Sequence, residues 1–237
     1  MLKIEKLVKA YDGRPVLHGL DLNIEAGDIY GFIGKNGAGK TTTIKCIMGL
    51  LDYEEGNIYI DGKDIREDPL ACKQVSAYIP DNPRLYEFLT GIDYINFVAD
   101  VYGVSEKDRE ERTLELAQVF DLTQDLGSKI SSYSHGMQQK LAIIAALVHR
   151  PKLLILDEPF VGLDPTATHY LKEVFHKMVD EGAAIFFSTH VLEVAQKLCN
   201  KVAILRDGKI VKEGTTSQVT QDASLEEIFM ELMNHAS

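Results

Sequence analysis

The segment Gly34-Lys35-Asn36-Gly37-Ala38-Gly39-Lys40-Thr41 constrains this chain more than any other. It follows a continuous apolar run, Ile29-Tyr30-Gly31-Phe32-Ile33, and precedes a stretch of helical character from Thr41 to Leu51. An apolar run without alternation predicts a strand buried on both faces, hence a mostly parallel sheet covered by helices. Glycines between such a strand and a helix let successive backbone N–H groups converge on an anion. The helix N-terminus adds partial positive charge. Lys40 is then placed to reach the β- and γ-phosphates of a nucleotide, and the Thr41 hydroxyl to ligate Mg2+. Gly34, Lys35, Asn36, Gly37, Ala38, Gly39, Lys40, Thr41 and the following Thr42 form the candidate phosphate-binding set.

A second hydrophobic strand, Leu153-Leu154-Ile155-Leu156, ends in Asp157-Glu158-Pro159. In parallel α/β sheets ligands bind at the carboxyl ends of strands. Asp157 is placed there to hold Mg2+. Glu158 is the next residue, and strand alternation turns its side chain the other way. It is therefore better placed to polarise a water than to share the ion. His190 ends another apolar strand in Ser188-Thr189-His190 and is a candidate to hydrogen-bond the γ-phosphate or the attacking water.

The rest of the chain fits an α/β domain with additions. Leu2 to Leu7 and Leu20 to Glu25 alternate apolar and polar residues, which predicts antiparallel strands at the N-terminus. A strand at Gly56 to Ile60 should turn at Asp61-Gly62. From Pro83 to Arg150 helical spacing dominates, as in Ile92, Ile95, Phe97 and Ala99, with a charged helix from Glu106 to Phe120. A helix from about Pro165 to Asp180 and a last strand at Val202 to Leu205 follow. The expected division is a core over 1–82 and 151–223, an inserted helical subdomain over 83–150, and a C-terminal helix over 224–237. Ser224 to Phe229 reads as a capped amphipathic start to that helix.

Composition excludes several classes. Lys and Arg number 25 against 36 Asp and Glu, a net charge of −11, which disfavours nucleic acid and anionic lipid as direct partners. Cys46, Cys72 and Cys199 are widely spaced, so they read as small buried hydrophobes in a reducing compartment. The start, Met1 to Lys6, does not read as a signal peptide. The longest run free of Asp, Glu, Lys and Arg is 11 residues, Gly182 to Leu192, too short to span a bilayer.

One further element, Tyr133-Ser134-His135-Gly136-Met137, precedes the strand that carries Asp157. Ser134 can cap the helix that follows, and its hydroxyl, the Gly136 N–H and the helix dipole make a second anion site. Together these segments resemble the ATP-binding subunit of an ABC transporter, over nearly the whole chain. Tyr-Ser-x-Gly-Met is a variant of that family's Leu-Ser-Gly-Gly-Gln signature. It is similar to the form in exporters of the drug, antibiotic and bacteriocin-resistance type.

The resemblance implies a P-loop NTPase core, ATP with Mg2+, and two subunits that sandwich two ATPs. Each ATP would meet one chain's phosphate loop and the other chain's Ser134, His135, Gly136 and Met137. It also implies that Tyr11 stacks on adenine and that Asp164 lies in a dimer-contact loop, where it reads equally as a helix cap before Pro165. Glu158 and His190 would be catalytic. The chain departs from the family at Asp81, where Gln is usual and Glu occasional; a carboxylate there can also meet Mg2+. A separate integral membrane permease should dock on the helical subdomain. That would make the chain an ATPase at the cytoplasmic face of the membrane, powering export of a drug, peptide or lipid-like compound. The rival readings are a non-transport ATPase acting on ribosomes and a low-turnover regulatory ATP-binding subunit.

Overall fold

A computed structural model of the chain describes residues 1–221 and 223–234. Asp222 and residues 235–237 of the expected core and C-terminal segments lie outside the described residues. The chain runs β1 (Leu2–Tyr11), β2 (Arg14–Ile24), β3 (Ile29–Gly34), α1 (Lys40–Ile47), β4 (Glu55–Ile60), β5 (Lys63–Asp64), α2 (Pro69–Gln74) and β6 (Ser76–Ile79). Three helices follow, α3 (Gly91–Val101), α4 (Glu106–Val119) and α5 (His135–Leu147), with a short 3₁₀ turn before the last. The chain then continues through β7 (Leu153–Asp157), α6 (Pro165–Asp180), β8 (Ala184–Thr189), α7 (Leu192–Leu198), β9 (Lys201–Arg206), β10 (Lys209–Thr215), α8 (Thr216–Thr220) and α9 (Leu225–Asn234).

Two sheets form. One is antiparallel, in the order β2-β1-β4-β5; the other has the order β10-β9-β3-β8-β7-β6, parallel except for β10. The apolar runs of the central strands split between two cores. Tyr30, Phe32, Leu153, Ile155 and Phe186 point into a layer shared with the antiparallel sheet and α1. Ile29, Ile33, Leu154, Leu156, Ile185 and Phe187 point to the other face, where α5, α6 and α7 cover them. Period-2 alternation inside a run that is apolar throughout is what a sheet covered on both faces requires.

Four expectations change. The helix after the phosphate loop ends at Ile47, not Leu51, because Gly49 adopts φ +61, which breaks the helical path. Val202 to Leu205 is not the last strand: the chain turns at Asp207-Gly208 and returns as β10. Of the helical stripe in α3, Ile95 and Ala99 are buried but Phe97 is exposed. Strand alternation does not govern Glu158, as the site geometry shows.

Candidate nucleotide site

Gly34 closes β3 in the interior of the parallel sheet, and the loop to α1 emerges at its carboxyl edge. Gly37 (φ +82) and Gly39 (φ +109) occupy backbone space that suits glycine. At Gly39 a Cβ would also come within 2.8 Å of Leu17 Cδ2, so the loop packs tightly against the antiparallel sheet. The Ala38 carbonyl accepts from Gly208 N at 3.0 Å, which fastens the loop to the β9–β10 turn. Gly39 is the N-cap of α1 and provides no side chain to occupy the amides of the first turn. Lys40 is buried, 6% exposed, and its Nζ donates to Gly34 O at 2.7 Å. Lys35, Asn36 and Gly37 line the exposed rim, whereas Ala38 is buried. Thr42 is half-buried on the first turn of α1.

The acidic segment meets this loop. Thr41 Oγ1 donates to Asp157 Oδ2 at 2.7 Å, and Asp157 is only 2% exposed. Ser188 Oγ donates to the other carboxylate oxygen of Asp157 and accepts from Glu158 N at 3.1 Å. The buried hydroxyl of Ser188 thus orients both acids; it is a site residue that the sequence reading missed. Its signal was positional, a hydroxyl at the carboxyl end of the apolar strand beside Asp157.

Glu158 lies one residue beyond β7 at φ +50. The chain leaves pleated geometry there, so the side chain is not sent to the opposite face. It lies instead on the same side as the phosphate loop. Its Oε1 is 3.5 Å from Lys40 Nζ, and its Oε2 is 3.0 Å from His190 Nδ1 and 3.3 Å from His190 N. His190 is just past β8 and exposed.

Asp81 lies just beyond β6, whose Ile79 pairs with Leu156 of β7. It is exposed, and one carboxylate oxygen accepts from Asn82 N at 2.9 Å. The Tyr78 hydroxyl is pushed well up by burial, then by Asp157 and Asp81, which sets both carboxylates in one electrostatic neighbourhood. Tyr11, at the end of β1, is 44% exposed with Lys9 Nζ 5.3 Å from its ring centre.

The signature segment is built separately. Ser134 is the N-cap of α5 and accepts from Met137 N at 3.3 Å. Ser134 and His135 are exposed; Gly136 and Met137 are half-buried. Its neighbours belong to the loop after Glu158. A Cβ on Gly136 would meet Gly162 O at 3.2 Å, and one on Gly162 would meet His135 Cδ2 at 2.9 Å. Lys140 in α5 pairs with Asp164 at 3.1 Å. Asp164 also caps α6, accepting from Ala167 N at 2.8 Å, with Pro165 in the first turn. That amide, then Lys140, hold its carboxyl below the usual range.

The family model described as ABC transporter matches residues 17–161. The chain belongs to the ABC transporter family. It is 37% identical to the ABC-type transporter ATP-binding protein EcsA of Bacillus subtilis, covering 98% of this chain and 96% of that protein. It is 34% identical to the daunorubicin/doxorubicin resistance ATP-binding protein DrrA of Streptomyces peucetius, over 90% of this chain and 64% of that one. A solved ATP-binding subunit of an ABC transporter superposes with a TM-score of 0.96 at 37% identity, covering 99% of this chain and 100% of that one. This ABC protein is thus an ATP-binding subunit with the family's ATPase fold. Among the described residues, no helix is long and apolar enough to cross a membrane.

Proposed function

We propose that this subunit hydrolyses ATP to drive a separate membrane permease that exports a drug, peptide or lipid-like compound. The observation that carries the reading is Glu158, whose carboxylate faces both Lys40 and His190. A γ-phosphate arriving at Lys40 would come directly against this acid. Lys40 and the free amides of α1 would bind the phosphates. Glu158 would orient a water and take its proton as the water oxygen attacks phosphorus and the bond to the β-phosphate oxygen breaks. His190 would hold Glu158 and the γ-phosphate in register.

The hydroxyl of Thr41 and the carboxylate of Asp157 are hard oxygen donors 2.7 Å apart, and this donor set suits Mg2+. Thr41 and Asp157 would hold the ion, with Asp81 close by. Bound there, Mg2+ would neutralise charge on the phosphate oxygens.

Tyr11 is free to stack on adenine. A second copy of the chain would bring Ser134, His135, Gly136 and Met137 to the exposed side of the ATP, with Asp164 near the contact. Ser134, oriented by its capping bond, supports that role. The permease would dock on the helical subdomain, 83–150, holding the subunit at the cytoplasmic face of the membrane. An exposed aromatic group supports this. Tyr86 lies 5.9 Å from Phe88 and 5.7 Å from Phe97, ring centre to ring centre, a cluster of the kind that marks partner surfaces. The drug-resistance relative DrrA supports the direction of transport.

Glu158→Gln tests the chemistry: turnover should vanish while ATP binding persists, and normal hydrolysis would refute the assignment. The same variant, tagged and loaded with Mg-ATP, should retain a polytopic membrane protein from detergent-solubilised membranes. Recovery of ribosomes or of soluble partners alone would overturn transport and leave the ATPase.

A further inference from the structure

One cavity is remote from these residues. It has a volume of 690 Å3 and lies at the opposite edge of the parallel sheet, beside the segments that lead into β7 and β8. One wall is α4 with the end of α5, through Leu116, Val119 and Leu147; the other is α6, through Val174 and Met178. The volume is that of a small-molecule site, and these lining side chains are apolar.

The rim is charged, and most of its charges are committed. Lys177 pairs with Glu115 at 2.8 Å across the two walls, and Lys152 with Asp61 at 2.7 Å. Arg112 donates to Val148 O and pairs with Asp108. Arg150 differs. It lies between α5 and Pro151 at φ +53, exposed; among the described residues its guanidinium makes no hydrogen bond or close ion pair, and its charge acts on the neighbouring Glu115 and Lys177. Glu173 and Glu181 also line the cavity, but a guanidinium whose donors are not hydrogen-bonded, at the edge of apolar walls, is complementary to one anionic head on an apolar body, because its fork can hold a carboxylate through two hydrogen bonds.

We propose that this cavity binds a single-chain amphiphile with a carboxylate head, the chain lying between α4 and α6 and the head on Arg150. Such a ligand touches the helical segment and the core at once, so its binding fastens α4 to α6 where the Lys177–Glu115 pair now spans them. The inference is independent of the transport reading.

Titration calorimetry with decanoate below its micelle concentration tests it on the full chain, with decanol as the uncharged control. Decanoate should bind at one saturable site per chain, and decanol about tenfold more weakly, since a charged hydrogen-bonded pair is lost. Arg150→Gln should weaken decanoate to the level of decanol. Leu116→Trp, which fills the cavity, should abolish binding of both, with an unchanged ATP affinity as the control for folding. No saturable binding, or decanoate binding equal in wild type and both variants, overturns the proposal. Co-sedimentation with phosphatidylcholine vesicles carrying oleate, a single-chain carboxylate, identifies the source. Arg150-dependent sedimentation assigns the head to a membrane lipid, and its absence alongside decanoate binding assigns it to a free amphiphile.

Discussion

The helix N-termini at Lys40 and at His135 begin from similar ingredients, a glycine and a first turn of amides, yet they are finished differently. At α1 the N-cap is Gly39, which leaves the first amides without a side-chain acceptor, and a lysine, a hydroxyl, a buried Asp and Glu158 converge within 3.5 Å contacts. At α5 the N-cap is Ser134, whose hydroxyl already serves Met137 N, and the nearby Lys140 is committed to Asp164. The first end lacks only an anion. At the second, Lys140 and Asp164 already satisfy each other. The contrast teaches that a helix dipole does not make a catalytic site; the groups brought to it do.

The largest expected effect sharpens that difference. Lys40→Ala should abolish ATP binding by the separate chain. Ser134→Ala should leave that binding intact and remove turnover by orders of magnitude. Equilibrium binding and steady-state hydrolysis read the two quantities. Mixing the two inactive proteins should then restore partial hydrolysis, because a mixed dimer keeps one intact pairing of phosphate loop and signature. Failure of the mixture to hydrolyse ATP would break the proposal that the second end acts on a partner's nucleotide.

Next in size is an acid effect at the far end of α5. His149 stacks on Tyr102 at 3.6 Å between ring centres, with both ring nitrogens buried. Burial is the main cause that pushes its pKa down to about 4; the Ser76 backbone opposes it and Arg112 adds to it. Above about pH 6.5 the imidazole is neutral in both folded and unfolded chains. As pH falls from there towards 4 the unfolded chain gains a proton that the folded one refuses, so stability drops, by on the order of 3 kcal/mol in full. His149→Phe keeps a ring against Tyr102 and should flatten that part of the stability profile, measured by urea unfolding at several pH values. An unchanged profile would show that α5 is not seated through this residue.

The same contrast explains what the sequence could disclose. The phosphate loop was legible because its glycines, lysine and threonine are contiguous and lie between a buried strand and a helix. α6 was legible to the residue, since Asp164-Pro165 encodes both its cap and its first turn. Glu158 was legible as an acid at a strand end but not in direction. A positive φ at a non-glycine residue is imposed by tertiary contacts, here the Ser188 hydroxyl under its amide and Lys40 and His190 before its carboxylate. Ser188 was missed for the related reason that it is far from Asp157 in sequence and adjacent only through the β7–β8 register. The short α2 and α7 have too few residues to establish a period, and the edge strand β10, Lys209–Thr215, does not alternate apolar with polar residues.

A smaller effect tests whether α5 and the loop after Glu158 move as one piece. Asp164→Ala removes the cap of α6 and the Lys140 pair together. Loss of an N-cap costs about 1 kcal/mol, and an exposed ion pair adds a fraction of that. Thermal unfolding should report a loss of this size. If Lys140 only decorates the surface, Lys140→Ala will leave hydrolysis unchanged; if it holds Ser134 in place relative to Glu158, hydrolysis will fall while ATP binding does not.

The smallest effect belongs to the phosphate-loop side of the comparison, and it separates the base of ATP from its phosphates. Tyr11 is exposed, and its ring engages Lys9 at 5.3 Å, so its removal deprives the core of little. If the ring stacks on adenine, Tyr11→Ala loses about 1 kcal/mol, near a fivefold loss of affinity, and Tyr11→Phe loses almost none. Inorganic triphosphate has no base to stack, so its affinity should be the same in all three proteins. Equal weakening of ATP and triphosphate in Tyr11→Ala would instead mean that Tyr11 acts through Lys9 and the local charge, because only a stacked ring distinguishes a ligand with a base from one without.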